Sequence, residues 1–211
     1  MNFNEMKSLN PTVCIACSIF KKEVELLKQK NHLNLPVTFL DSMMHLEPEK
    51  LHRLLETHLV EAQKKGNQVL LLFGECHPFA QEQSSLPGVS RTNGNNCIEI
   101  LLGKKRYREL RKKGYFFLLP DWALKWKETY LTNPTQKGEN SLELMAEKHS
   151  KLVYLDTGLT PVPKDDLKAF SEYSGLPWEV MKVNLEPLKK AIRESLDKLT
   201  GLENQLNRHK N

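Results

Sequence analysis

The sequence predicts an α/β protein with an open, doubly wound, mostly parallel sheet of about six strands and helices on both faces. Short β-friendly runs alternate with helical periods along all 211 residues. The run 69–73, VLLLF, is continuously apolar between Gly66 and Gly74, as in a strand covered on both faces. About six strands are too few for an eight-stranded barrel, and right-handed crossovers then leave an open sheet.

Each element follows from its local pattern. Residues 12–17 form the first strand, and Ser18 precedes a helix carrying Val24, Leu26 and Leu27 on one face. Pro36 opens a second strand at 37–40. Pro48 starts a long helix whose apolar line is Leu51, Leu54, Leu55, Leu59 and Ala62, closing at Gly66. Residues 68–73 are the third strand. The segment 74–96 has no clear period and reads as a long functional loop. Asn95 or Asn96 caps a helix at 97–102, Gly103 interrupts it, and 104–113 is a second helix. Strands follow at 115–119, 152–156 and 178–183. Helices follow from Pro120, at 142–149, at 165–174 and at 185–199, the last continuing as an amphipathic C-terminal helix over 185–211. The expectation is one α/β domain over 1–211, with the polar stretch 133–140 as its candidate hinge.

Composition narrows the class. With 39% hydrophobic and 27% charged residues, the chain is neither disordered nor fibrous. It has no run near the roughly 20 apolar residues a membrane span needs. Its early apolar patch runs into Lys21 and Lys22 without a cleavage pattern, so a core strand is expected there rather than a signal peptide. A cytoplasmic location and reduced thiols are therefore expected. The chain lacks GxGxxG, a P-loop, HExxH and GxSxG, so the common nucleotide, zinc-protease and serine-hydrolase signatures do not apply.

Three of the four cysteines fall where chemistry is expected. Cys17 ends the first strand, Cys76 follows the third in GECHPF, and Cys97 opens a helix in NNCIEILLG. In a parallel sheet these strand ends share the carboxyl edge, where ligands bind at a topological switch point. A flavodoxin-like order, 2-1-3-4-5, makes strands one and three neighbours there. Cys14, in mid-strand, reads as a packed small hydrophobe. Glu75 and Glu99 flank the cysteines as proton-handling groups or as solvated carboxylates. Arg91, on the long loop, is a candidate for binding an anionic substrate. Asp156 ends the fifth strand, either reaching the crevice as a second substrate-binding group or capping the following turn. Trp122 and Trp126 read as core or interface anchors.

The segment 104–113, KKRYRELRKK, has seven basic residues against one acidic. Of the chain's net +5 it therefore supplies +6, leaving −1 for the rest. It offers only Tyr107 where single-strand binders need several aromatic platforms, so nucleic acid is not an expected partner; the face could serve a phosphate-bearing ligand or an acidic partner, and reads first as a solvated helix. The stripe Leu185, Leu188, Ile192, Leu196, Leu199, Leu202 and Leu206 docks on the domain or pairs with a second copy as a homodimer.

From Ala16-Cys17 to about Pro187 the chain resembles an uncharacterised family, a domain of unknown function found in anaerobic bacteria and methanogenic archaea and often encoded near corrinoid methyltransferases. The matching motifs are Ala16-Cys17, Gly74-Glu75-Cys76-His77-Pro78, Asn96-Cys97-Ile98-Glu99 with Leu101-Leu102-Gly103, Phe116-Phe117-Leu118-Leu119-Pro120 with Trp122, and Leu155-Asp156-Thr157-Gly158. Many relatives carry glycine where this chain has His77. The resemblance implies that Cys17, Cys76 and Cys97 are the family's cysteine positions and that Cys14 is incidental.

Three thiolates with one open position suit an iron–sulfur cubane or a zinc ion that activates a substrate thiol for methyl transfer. His77, Glu99 or Glu75 are the candidates for a fourth ligand or a supporting contact. The resemblance to an anaerobe-associated family, and nothing in the spacing, favours a [4Fe-4S] cluster in redox or one-carbon metabolism. The rivals are a zinc-thiolate methyltransferase and a non-catalytic partner of a methyltransferase or corrinoid protein. The chain has no DxHxxG spacing for an axial corrinoid histidine.

Overall fold

The alternating pattern builds two parallel sheets in a computed structural model that describes residues 11–75, 80–132 and 145–208. They belong to two compact units, one formed by residues 1–100 and 188–211, the other by 101–187.

The first unit holds β1 (Thr12–Cys17), β2 (Val37–Leu40), β3 (Gln68–Leu72) and β4 (Val89–Arg91) in the order β2-β1-β3-β4, all parallel. Every residue of β3 is buried, as its unbroken apolar run requires. A 3-10 turn, Ser18–Phe20, leads from β1 into α1 (Lys21–Gln29), which buries Val24 and Leu27. α2 (Pro48–Lys64) has proline in its first turn and buries Leu51, Leu55, Leu59 and Ala62, one face of a 3.6-residue period, against β1 and β3. After α3 (Ala80–Ser84), β4 and α4 (Cys97–Leu102), the chain leaves this unit and returns in the C-terminal helix, α8 (Glu186–Arg208). Its Leu188, Ala191, Ile192, Ser195 and Leu199 are buried, so this part of the predicted stripe docks on its own chain.

The second unit contains α5 (Lys104–Arg111), β5 (Tyr115–Leu118), α6 (Pro120–Leu124), a π-helical turn at Glu128–Thr132, a helical turn at 145–148, β6 (Lys151–Asp156), α7 (Lys164–Ser174) and β7 (Trp178–Lys182). Its strands run parallel in the order β5-β6-β7. Its core is aromatic: Phe170 stacks on Trp126 at 5.0 Å and on Tyr130 at 5.2 Å, beside the fully buried Tyr154 and Leu167. Trp126 is thus a core anchor, with Trp122 packed on the same cluster. Gly175 ends α7 in the left-handed conformation, which glycine adopts without a Cβ penalty.

Two expectations need correction. The single sheet of about six strands is instead a four-stranded and a three-stranded sheet, because β5 pairs with β6 and not with β4. Periodicity identifies a strand, but its hydrogen-bonding neighbour is a tertiary choice. The unpatterned segment 74–96 contains α3 and β4. β4 escapes detection because three residues after Pro87-Gly88 are too few to display alternation. The candidate hinge at 133–140 and the first part of the helix expected at 142–149 lie outside the described residues. Among the described residues no helix is long and apolar enough to cross a membrane.

Phe170→Ala should lower the unfolding free energy by about 3–5 kcal/mol, the range for emptying a buried aromatic site. Urea denaturation monitored by tryptophan fluorescence measures it; a loss below about 1 kcal/mol would show that this cluster does not hold the second sheet.

Candidate functional site at the carboxyl edge of the first sheet

The β1–β3 ladder ends at the pair Ala16–Leu72, and the residues that follow these two are Cys17, the last of β1, and Phe73. On its other flank Cys17 is in register with Leu40, at the end of β2. The next residue after Phe73 is Gly74, and its backbone lies directly against that of Asn96. A Cβ placed on Gly74 would stand 2.4 Å from the Asn96 Cα and 2.9 Å from its nitrogen. Only glycine admits this approach. It brings the start of α4, and with it Cys97, to the end of β3. Cys17 and Cys97 are 3% and 5% exposed, and neither forms a disulfide.

A hydrogen-bond lattice fixes the loops that meet here. The Glu75 amide donates to the Asn95 carbonyl at 3.0 Å. Asn96 caps α4, its Oδ1 accepting from the Glu99 amide at 2.9 Å, while Glu99 Oε2 accepts from the Asn95 amide at 3.3 Å. Glu99 is buried and turned onto its own loop rather than lying on a solvated face. Arg91 sits at the centre: Nη2 pairs with Glu75 Oε1 at 2.8 Å, and Nη1 donates to the carbonyls of Gly94 at 3.1 Å, Thr92 at 3.3 Å and Phe73 at 3.5 Å. Its side chain is only 12% exposed, so this guanidinium fastens the residues before Cys76 to those before Cys97. The Thr92 hydroxyl donates to the Phe73 carbonyl, and Ser195 of α8 donates to that of Arg91. At the neighbouring strand ends, Ser18 Oγ accepts from the Ser42 amide at 2.8 Å. No sequence signal marks this last link, since its partners are 24 residues apart in unrelated elements.

The sequence-predicted residues therefore divide. Cys17, Glu75, Arg91, Cys97 and Glu99 belong to the carboxyl edge of the first unit. Cys76 and His77 lie outside the described residues, immediately after Glu75. Asp156 does not share the cysteines' sheet. It ends β6 in the second unit, where Oδ1 accepts from the Gly158 amide at 2.7 Å and caps the turn. Among the described residues no group of three or more histidine, cysteine or acidic side chains could hold a metal ion.

Cys14 has the packing role expected of it. It is 1% exposed, and burial pushes its thiol up to about 12, with Lys28 acting the other way. Since the folded thiol holds its proton more tightly than the unfolded one, stability should fall as pH rises from about 9 towards about 12. Cys14→Val should flatten that fall in urea titrations repeated across this range; an unchanged slope would contradict the assignment. Gly74→Ala should cost about 2 kcal/mol or more because backbone must move. Gly175→Ala, strained at φ 69° but with nothing within 4 Å, should cost about 1 kcal/mol. Equal losses in the two melts would mean that the Gly74 contact is not tight.

Residues 39–192, well over half the chain, match a family model described as a protein of unknown function, DUF1638. Cys76 and Cys97 fall within the match and Cys17 before it. No curated protein and no solved structure matches.

Proposed function

The chain belongs to the DUF1638 family, and we propose that in it Cys17, Cys76 and Cys97 hold a metal centre, a [4Fe-4S] cluster, at the carboxyl edge of the first sheet. The observation that supports this reading is the contact of Gly74 with Asn96, which brings the start of α4 to the exit of β3, the strand paired with the one that ends in Cys17. Cys76 follows Gly74 by two residues. The donor chemistry fits: Cys17 and Cys97 are buried, outside any disulfide and fixed by rigid elements, as low-dielectric thiolate ligation requires. When bound, such a cluster offers redox chemistry or an iron open to a small ligand. The residues themselves hold the loops: Arg91 and Glu75 secure the residues that precede Cys76, and Asn96 with Glu99 secures those that precede Cys97. Preference for the cluster over zinc rests on the resemblance to an anaerobe-associated family, which also suggests redox or one-carbon metabolism as its setting.

Iron, zinc and acid-labile sulfide should be measured on anaerobically purified full-length protein. The expected result is about four iron and four sulfide per chain, lost on Cys17→Ser, Cys76→Ser or Cys97→Ser and retained on Cys14→Ser. Zinc without sulfide would favour the zinc-thiolate methyltransferase instead, and a colourless, metal-free protein would refute both.

A further inference from the structure

We propose that α5 and the basic residues that follow it form a docking surface for the phosphate backbone of duplex DNA. Lys104, Lys105, Arg106, Arg108, Arg111, Lys112 and Lys113 are all exposed, and among the described residues none of them pairs with a carboxylate. Their arrangement at the start of the helix works against it. The first turn of α5 has no acidic residue and three cations, the wrong charge for the positive end of a helix dipole. Lys104 with Arg108, Arg108 with Lys112, and Arg108 with Arg111 are like-charge neighbours at i,i+4 or i,i+3, which destabilise an isolated helix. Arg108 and Arg111 suit the C-terminal end of the helix, and Glu109 offsets one of the seven charges; a polyanionic partner would neutralise the rest.

The chemistry of the surface selects the partner. The apolar residues of α5, Tyr107 and Leu110, are buried in their own unit, so the exposed face offers lysine and arginine without an apolar anchor. Protein interfaces enrich arginine but are depleted of lysine, four of the seven cations here, and are centred on well-packed, desolvated pockets. Phosphate contacts need only the cations. An eight-residue helix is about 12 Å long, a length over which B-DNA carries roughly seven phosphate charges. The patch continues to Tyr115, whose ring lies under Lys113 Nζ at 5.9 Å and Lys151 Nζ at 5.8 Å, the latter also paired with Glu179. Its field reaches His149: burial chiefly, then Arg111 and Lys148, hold that imidazole below the usual histidine range against a hydrogen bond with Gly114. The missing aromatic platforms argue against single strands only, because a duplex keeps its bases stacked.

The test is fluorescence anisotropy of the full-length protein with two 20-base-pair DNA duplexes of unrelated sequence. Affinity should be the same for both and should fall between roughly 10² and 10⁴-fold from 50 to 200 mM salt, as expected for about five to seven phosphate contacts. Combining Lys104→Gln, Lys105→Gln, Arg108→Gln and Lys112→Gln should lower the log–log salt slope by about 3–4. Combining Lys22→Gln, Lys50→Gln, Lys168→Gln and Lys190→Gln makes the same change in net charge elsewhere and should leave the slope within about 1 of wild type. Absence of binding at 50 mM salt, equal losses in the two variants, or tighter binding to phosphatidylcholine vesicles containing 30% phosphatidylserine would each overturn the proposal. The wild-type salt slope and sequence indifference test it even if a variant misfolds.

Discussion

Everything at the candidate site depends on one backbone contact, that between Gly74 and Asn96. A side chain at residue 74 would separate the end of β3 from the start of α4. The Glu75–Asn95 hydrogen bond, the Asn96 cap and the Arg91 clamp all lie within a few residues of that point and presuppose it. The order of causes is therefore sheet first, contact second and loops third. β3 is rigid because it is buried throughout, Gly74 lets another backbone approach its end, and polar side chains then fix residues 73–75 and 92–96, which have no regular structure of their own.

Arg91 shows how burial alters the meaning of a charge. On an exposed loop it would be one cation among many. At 12% exposure it is committed to three carbonyls and one carboxylate, and Glu75 is committed in return. A half-buried ion pair carrying extra hydrogen bonds is a stronger constraint than the solvent-screened lysine pairs on α1, α2, α7 and α8. The opposite regime holds on α5, where the cations stand exposed against Glu109 alone and, among the described residues, form no ion pair.

Much of the fold was legible because burial writes itself into periodicity. β1, β2, the long α2 and the core role of Cys14 follow from apolar spacing and from Pro48 and Gly66 as boundaries. The adjacency of β1 and β3 follows from the parallel topology, and with it the position of Cys17 at a carboxyl edge. Sequence does not disclose where the sheet divides, because β4 is too short to register as a strand and the pattern of β5 says nothing of the strand it pairs with. Asp156 accordingly ends a strand of the second sheet, where it caps its own turn. The Arg91 clamp was hidden too, since its acceptors are main-chain carbonyls, which any residue supplies.

The first unit is discontinuous: the chain leaves it after residue 100 and re-enters at 188. In the unit between, Gly103 and Pro187 are near neighbours, so the excursion starts and finishes in nearly one place. Ser195 and Lys198, on the returning helix, hold the Arg91 carbonyl and the Asn93 side chain. During synthesis these late residues emerge only after the whole intervening unit, roughly 5–20 seconds later at ribosomal speeds. The second unit has all its strands before then, and the loop around Arg91 receives its last supports at the end. Vectorial translation thus completes the candidate site only after the unit that interrupts it has been made.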